Sequence, residues 1–107
     1  MAAIRPGLAA ADLEALGGRI DDAGLSIVDD LVHGYVGGYL PPVVRTPLTR
    51  QGAPPNLVLQ PGMCLVVQPN VVSADLRHGV QTGELVVVTD RGAKRLHRAP
   101  RGLLRAG

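Results

Sequence analysis

Aromatic side chains are almost absent from this chain of 107 residues, which has two Tyr and neither Phe nor Trp. Since apolar residues make up 46% of it, the core must be built from Leu, Val, Ile and Ala. Two tyrosines, Tyr35 and Tyr39, are too few for the stacking platforms on which many proteins bind bases. The length allows one domain over residues 1–107 with a single hydrophobic core.

Cysteine and long apolar runs are also scarce. A single cysteine, Cys64, excludes an internal disulfide and a cysteine-based zinc site, and its apolar neighbours predict a buried structural thiol. No apolar stretch reaches the ~20 residues that span a bilayer, and no basic region followed by an apolar segment opens the chain. We therefore expect a cytoplasmic protein without a membrane partner. Its abundant Ala, Gly and Arg are typical of a GC-rich bacterial genome.

The net charge of +2 is small but unevenly distributed. Two acidic pairs, Asp21-Asp22 and Asp29-Asp30, are expected to be solvated or to cap neighbouring elements. The last part of the chain, which we term the basic tail over residues 98–107, is expected to be solvated. Without aromatic residues or a known binding module, the composition disfavours nucleic acid as a partner. The cations concentrated near the C-terminus are Arg91, Lys94, Arg95, Arg98, Arg101 and Arg105.

The spacing of apolar residues predicts one helix, from Pro6 to Ala23. Leu13, Leu16 and Ile20 share a face at helical spacing, Pro suits a first turn, and Gly24 is a plausible stop. Residues 25–44 are predicted to form strands or extended loops, and the Pro-rich residues 45–61 to form a loop that borders a site or partner surface.

Apolar and β-branched runs predict strands in the second half. Met63–Val67 should be a strand buried on both faces, residues 73–79 a crossover, and residues 83–89 a second strand. Residues 90–92 should form a tight turn, and residues 93–98 a short returning strand. The predicted fold is α+β, with a mostly antiparallel sheet packed against an N-terminal helix.

Few residues could carry chemistry. His33 precedes Gly34 in a glycine-rich stretch where a ligand could approach, although a lone histidine is more often structural. His78, in the predicted crossover, and His97, near the basic tail, have no assigned role. The sequence contains no H-E-x-x-H, no phosphate-binding glycine loop and no G-x-S-x-G motif.

Three segments occur in the order HGYVGGYLPP, LQPGMCLVVQPN and GVQTGELVVVTDRGAKRL. In this order they resemble the C-terminal part of the catalytic domain of the pita-bread metallopeptidases, which include aminopeptidase P, prolidase, methionine aminopeptidase and their relative creatinase. The resemblance extends from Pro6 to about Leu104. It implies a partial pita-bread fold, as in a fragment, a misassigned start or a short gene, and a hydrolase acting on X-Pro or other amide bonds.

The resemblance also implies where metal ligands would fall. His33 matches a histidine ligand, Gln68 the first glutamate, and Gly83 the second, with Glu84 one position along and so expected on the other face. The family uses Mn, Co or Zn, but no segment before His33 resembles its aspartate strands. Since hard cations favour carboxylates over neutral amides, we expect no metal cofactor to bind.

Several functions remain open at this point. The first is a peptidase-like fragment with a degenerate metal site, inactive alone, in which His33 is the candidate catalytic residue and His33, Gly34 and Gln68 contact a peptide-like substrate. The second is a non-catalytic module, in effect a pseudoenzyme, that binds a peptide or protein. A third is part of a metal-free, creatinase-like amide hydrolase with His33 as acid and base. Whether the chain is an enzyme is thus undecided, and we expect a homodimer that covers an exposed sheet.

Overall fold

The computed structural model describes residues 3–102 and 105–106, and only the backbone of Tyr39, so part of the predicted basic tail lies outside the described residues. Within this part of the chain, none of the helices is long and apolar enough to cross a bilayer. The elements are α1 (Ala10–Asp22), β1 (Leu25–Ile27), β2 (Val32–Tyr35), β3 (Tyr39–Val44), β4 (Cys64–Val67), β5 (Asn70–Ser73), β6 (Gly79–Gln81), β7 (Glu84–Val88) and β8 (Ala93–Arg95).

The strands form two antiparallel sheets. One has the order β3-β2-β4-β7-β8 and the other has the order β1-β5-β6. Helix α1 packs on β1 and β3 and so lies where the two sheets meet. The predicted α+β class with a mostly antiparallel sheet is therefore confirmed.

Helix α1 is shorter than predicted because its first expected turn pairs with a distant segment. Ala10 N–H donates to Leu57 O at 2.8 Å, and Leu59 N–H donates to Leu8 O at 2.8 Å. These two contacts hold residues 8–10 as a bridge, so Pro6 precedes the helix instead of starting it. The predicted stop is confirmed: Gly24 has a φ of +74° and follows the last helical turn.

The core is aliphatic, as the missing aromatics required. Gly17 allows α1 to approach it closely, since a Cβ there would lie 2.4 Å from Leu31 Cδ1. A glycine that weakens the isolated helix is therefore needed for packing. Burying each Leu or Val contributes roughly 1.5–3 kcal/mol. The buried apolar side chains are Ile4, Ala10, Leu13, Ile27, Leu31, Val32, Val44, Leu59, Leu65, Val86 and Val88.

Strand β4 has one well-buried face and one partly covered face. Leu65 is fully buried, whereas Cys64 and Val66, on the other side of the strand, are half-buried. The prediction that this strand is buried on both faces was therefore wrong, and Cys64 is not the fully buried thiol that was expected. An apolar run by itself does not show how many layers pack on a sheet.

The loop over residues 45–61 is held against the helix by polar contacts. Leu48 N–H donates to Asp21 Oδ2 at 3.0 Å, and Arg50 pairs with Glu14 at 3.5 Å. Asp21 therefore ties the loop to the end of α1. The acidic pairs are not all solvated, because Asp30 is 1% exposed, so of the two predicted alternatives only a capping role is left for this residue.

Residues 70–81 form a hairpin, and the predicted crossover was wrong. Strand β5 pairs with both β1 and β6, and Ser73 Oγ donates to Asp75 Oδ1 at 2.6 Å in the turn between β5 and β6. Arg77 N–H donates to the same carboxylate oxygen at 3.1 Å. These hydrogen bonds lower the pKa of the Asp75 carboxyl below its ordinary value. Ser and Asp in these positions are typical turn residues.

Candidate functional site

The three positions that matched family ligands lie in or directly next to three neighbouring strands. His33 of β2 is opposite Val66 of β4, and Val67 is opposite Glu84 of β7. One residue beyond the end of this ladder, Gln68 stands beside Gly83, where a Cβ built on the glycine would lie 3.8 Å from Gln68 Cβ. Since alternate residues share a face, these three positions lie on one side of the sheet, which we term the His33 face.

His33 is buried, with 7% exposure, although its face is only partly covered. Its Nδ1 lies 2.8 Å from Gly34 O. Because a carbonyl only accepts, Nδ1 carries the proton in this contact. The ring is therefore oriented by the backbone of its own strand.

Gly34 has a clear packing role. A Cβ at this position would lie 2.4 Å from Pro41 O, so β2 and β3 can approach only because the residue is glycine. The register shifts here, between His33 and Gly34. An apolar groove of about 440 Å³ adjoins this point, lined in part by Leu40, Met63 and Cys64. A role of Gly34 in substrate binding stays a prediction.

Gln68 is fixed by its backbone. Its N–H donates to Leu31 O at 2.8 Å, which continues the pairing of β2 and β4 one residue beyond the strand. Its side chain thus begins at a defined point on the His33 face. It carries an amide, which can donate and accept hydrogen bonds but carries no charge.

Glu84 is engaged on the opposite face. Its Oε1 receives Arg101 Nε at 2.9 Å and also contacts Arg95 Nε. Burial alone would raise the pKa of the Glu84 carboxyl, but the hydrogen bonds and charges of Arg101 and Arg95 lower it below its ordinary value. The register and these partners keep this carboxylate away from the His33 face.

The donor set does not fit a pair of divalent cations. In the part of the chain that the structure describes, no three His, Cys, Asp or Glu residues are grouped so that they could hold a metal ion. The matched positions hold the imidazole of His33, the neutral amide of Gln68 and, at Gly83, no side chain. Two adjacent divalent ions need several anionic oxygens, which these residues do not supply.

Sequence reasoning missed a second cluster, formed by Glu84, Arg95, His97 and Arg101. His97 Nε2 accepts the N–H of Leu85 at 2.7 Å, so a histidine without an assigned role anchors the tail to β7. The concentration of Arg residues near the C-terminus was visible in the sequence. Their convergence on one carboxylate depends on the β7-β8 register and on the return of the tail, for which the sequence gives no local signal.

No family model matches the chain, and neither does any curated protein. Solved structures do match. The dipeptidase PepE from Mycobacterium ulcerans shares 27% identity and a TM-score of 0.71 over 95% of this chain and 26% of its own. The chain has a partial pita-bread fold. The likeness deduced from the three segments is therefore confirmed for the fold.

Other pita-bread structures match in the same way. The prolidase from Pyrococcus horikoshii has a TM-score of 0.76 at 23% identity, covering 96% of this chain and 28% of its own. The methionine aminopeptidase from Thermotoga maritima has a TM-score of 0.58 at 19% identity, covering 89% and 45%. The chain thus spans about a quarter of the dipeptidase and prolidase chains and less than half of the aminopeptidase.

Proposed function

We propose that this chain is a peptidase-like module with a degenerate metal site, which does not hydrolyse X-Pro bonds on its own. The supporting observation is that the register places His33, Gln68 and Gly83 on one face of the sheet, where they supply an imidazole and an amide but no carboxylate. Neighbours of the same fold include a dipeptidase and a prolidase, which supports a peptide-like substrate or ligand.

The remaining groups suit binding better than metal-assisted hydrolysis. Gln68 can donate to a peptide carbonyl and accept from a peptide N–H, and neither contact requires a charge on the side chain. Half-buried Cys64, Val66 and Leu85 lie on the same face and supply apolar contact. These observations support a peptide-like ligand, and they also suit the second candidate, a non-catalytic module that binds a peptide or protein.

A metal-free amide hydrolase is the third candidate, with His33 as acid and base. It would show a rate that depends on this imidazole and persists in a chelator. The substitution His33→Gln should then abolish the rate, whereas Gln68→Glu should largely preserve it. We expect no turnover of an X-Pro dipeptide by the purified chain, and a chelator-resistant rate lost in His33→Gln would establish this candidate instead.

Calorimetric titration with Mn²⁺ and Co²⁺ tests the degenerate site directly. We expect no binding by the chelator-treated chain. The double variant Gln68→Glu with Gly83→Glu should bind Mn²⁺ measurably, since no atom outside the neighbouring residues lies within 3.8 Å of a Cβ at Gly83. Tight binding by the unmodified chain would contradict the proposal. An unchanged titration of the double variant would show that other missing ligands dominate.

The homodimer and the cytoplasmic location stay predictions. Sedimentation velocity over a range of concentrations tests the first, because a second copy covering the His33 face would raise the mass to that of a dimer. A single species at the monomer mass at every concentration would contradict it.

A further inference from the structure

A cleft of about 250 Å³ opens on the side of the sheet opposite the His33 face, beyond the end of the aliphatic core. Its walls come from the start of β7 and from the segment that follows β8. Glu84, Arg95, His97 and Arg101 contribute its polar lining. We term it the tail cleft.

The tail cleft carries an excess of positive charge. Arg95 and Arg101 both pair with Oε1 of one carboxylate, Glu84, so two cations face one anion. Arg95 Nη2 donates to Ala99 O at 2.6 Å, which also holds the backbone of the tail in place. Arg101 contacts Glu84 through Nε, and among the described residues neither of its Nη groups makes a hydrogen bond or an ion pair.

His97 adds a fixed donor. Its Nε2 accepts the Leu85 N–H at 2.7 Å, so the proton of the neutral ring resides on Nδ1. The backbone therefore selects a tautomer with an N–H available in the lining of the cleft. The lining therefore holds more hydrogen-bond donors, on His97, Arg95 and Arg101, than Glu84 alone can accept from.

We propose that the tail cleft binds a small oxyanion, a carboxylate or phosphate group, on Arg101 and Arg95 with His97 as a further donor. A ligand with one negative charge would, together with Glu84, neutralise the two positive charges of Arg95 and Arg101. The planar guanidinium fork matches the spacing of oxyanion oxygens, and charge-assisted hydrogen bonds to it are stronger than neutral ones. The site uses neither His33 nor Gln68 and does not rest on the proposed peptide-binding function, although Gly83 borders both sites.

Backbone amide NMR of the ¹⁵N-labelled chain, titrated with sodium phosphate and with sodium acetate at constant ionic strength, tests the proposal. We expect saturable shifts of Glu84, Leu85 and His97 with at least one of the two salts, and no saturable shift of His33 or Gln68. Saturation with phosphate alone assigns the site to phosphate groups, and saturation with acetate alone assigns it to carboxylates. Linear shifts with both salts would overturn the proposal.

Variants provide the matched control. Arg101→Gln should weaken binding about tenfold or more, because a charge-assisted pair is lost. Its side chain is 56% exposed, so the variant should fold, which the amide spectrum itself reports. Arg91→Gln removes the same charge from the exposed β7-β8 turn and should bind like the unmodified chain. Equal binding by Arg101→Gln, or equal loss in both variants, would mean that only the general positive charge acts.

Discussion

The two faces of the five-stranded sheet are built from alternate residues of the same strands and have different environments. On the core face, Leu65, Val86 and Val88 are 0–1% exposed and join the cluster that contains Leu13 of α1. On the His33 face, Val66 and Leu85 are only half-buried. The core face holds the fold together, so substitutions on the His33 face need not destabilise the fold. A fold shared with peptidases therefore does not by itself fix the chemistry of this face.

The largest effect should come from truncating the same residue type on each face. Leu65→Ala should lower the free energy of unfolding by about 2–5 kcal/mol because it opens a cavity in the core. Leu85→Ala, on the His33 face, should cost about 1 kcal/mol because water already reaches part of this side chain. Urea denaturation measures both changes. Equal losses would mean that the His33 face is as well packed as the core face.

Substituting Gly34 and Gly83 by Ala should change stability by smaller amounts, and by different amounts at the two positions. Gly34→Ala should cost about 1–3 kcal/mol, because the added methyl group would overlap Pro41 O and displace β3. Gly83→Ala meets no atom closer than 3.8 Å, and should be neutral or stabilise by up to about 1 kcal/mol through a less flexible unfolded chain. Thermal unfolding of both variants measures the difference. A destabilised Gly83→Ala would mean that the room for a side chain beside Gln68 is smaller than described.

The smallest effect should be on the pH dependence of stability, through the ion pairs of Glu84 with Arg95 and Arg101. Because Arg101 and Arg95 lower the pKa of Glu84 in the folded chain, its pairs stabilise the fold above the unfolded pKa. This contribution is lost as the pH falls through the lowered folded value, below about pH 4.5. Glu84→Gln should therefore show a flatter fall in stability between about pH 5 and pH 3. Parallel curves for the variant and the unmodified chain would contradict this linkage.

Local patterns predicted what depends on local chemistry. The β-branched run in β7, the turn at residues 90–92 and the helix stop at Gly24 each have their signal within a few residues. The start of α1 was missed because residues 8–10 pair with a segment about fifty residues away. The β5-β6 hairpin was missed because its strands are short and the first follows Pro69.

The candidate site was less accessible to sequence reasoning than the fold. The roles predicted for His33, Gln68 and Gly83 came from resemblance, since nothing in the periodicity marks these residues as ligand positions. The burial of Asp30 was missed because an acidic pair is exposed in most proteins. The ion pairs of Glu84 required knowledge of the tail, which returns over β7 only in three dimensions.

The hydrogen bond from Leu85 N–H to His97 Nε2 has a consequence for association between chains. Strand β8 ends at Arg95, and beyond it the margin of β7 would present an unsatisfied donor to any extended segment nearby. The imidazole takes the place that a neighbouring strand's carbonyl would occupy. The tail thereby closes part of the sheet to edge-to-edge pairing, the route by which exposed strands recruit further copies into aggregates.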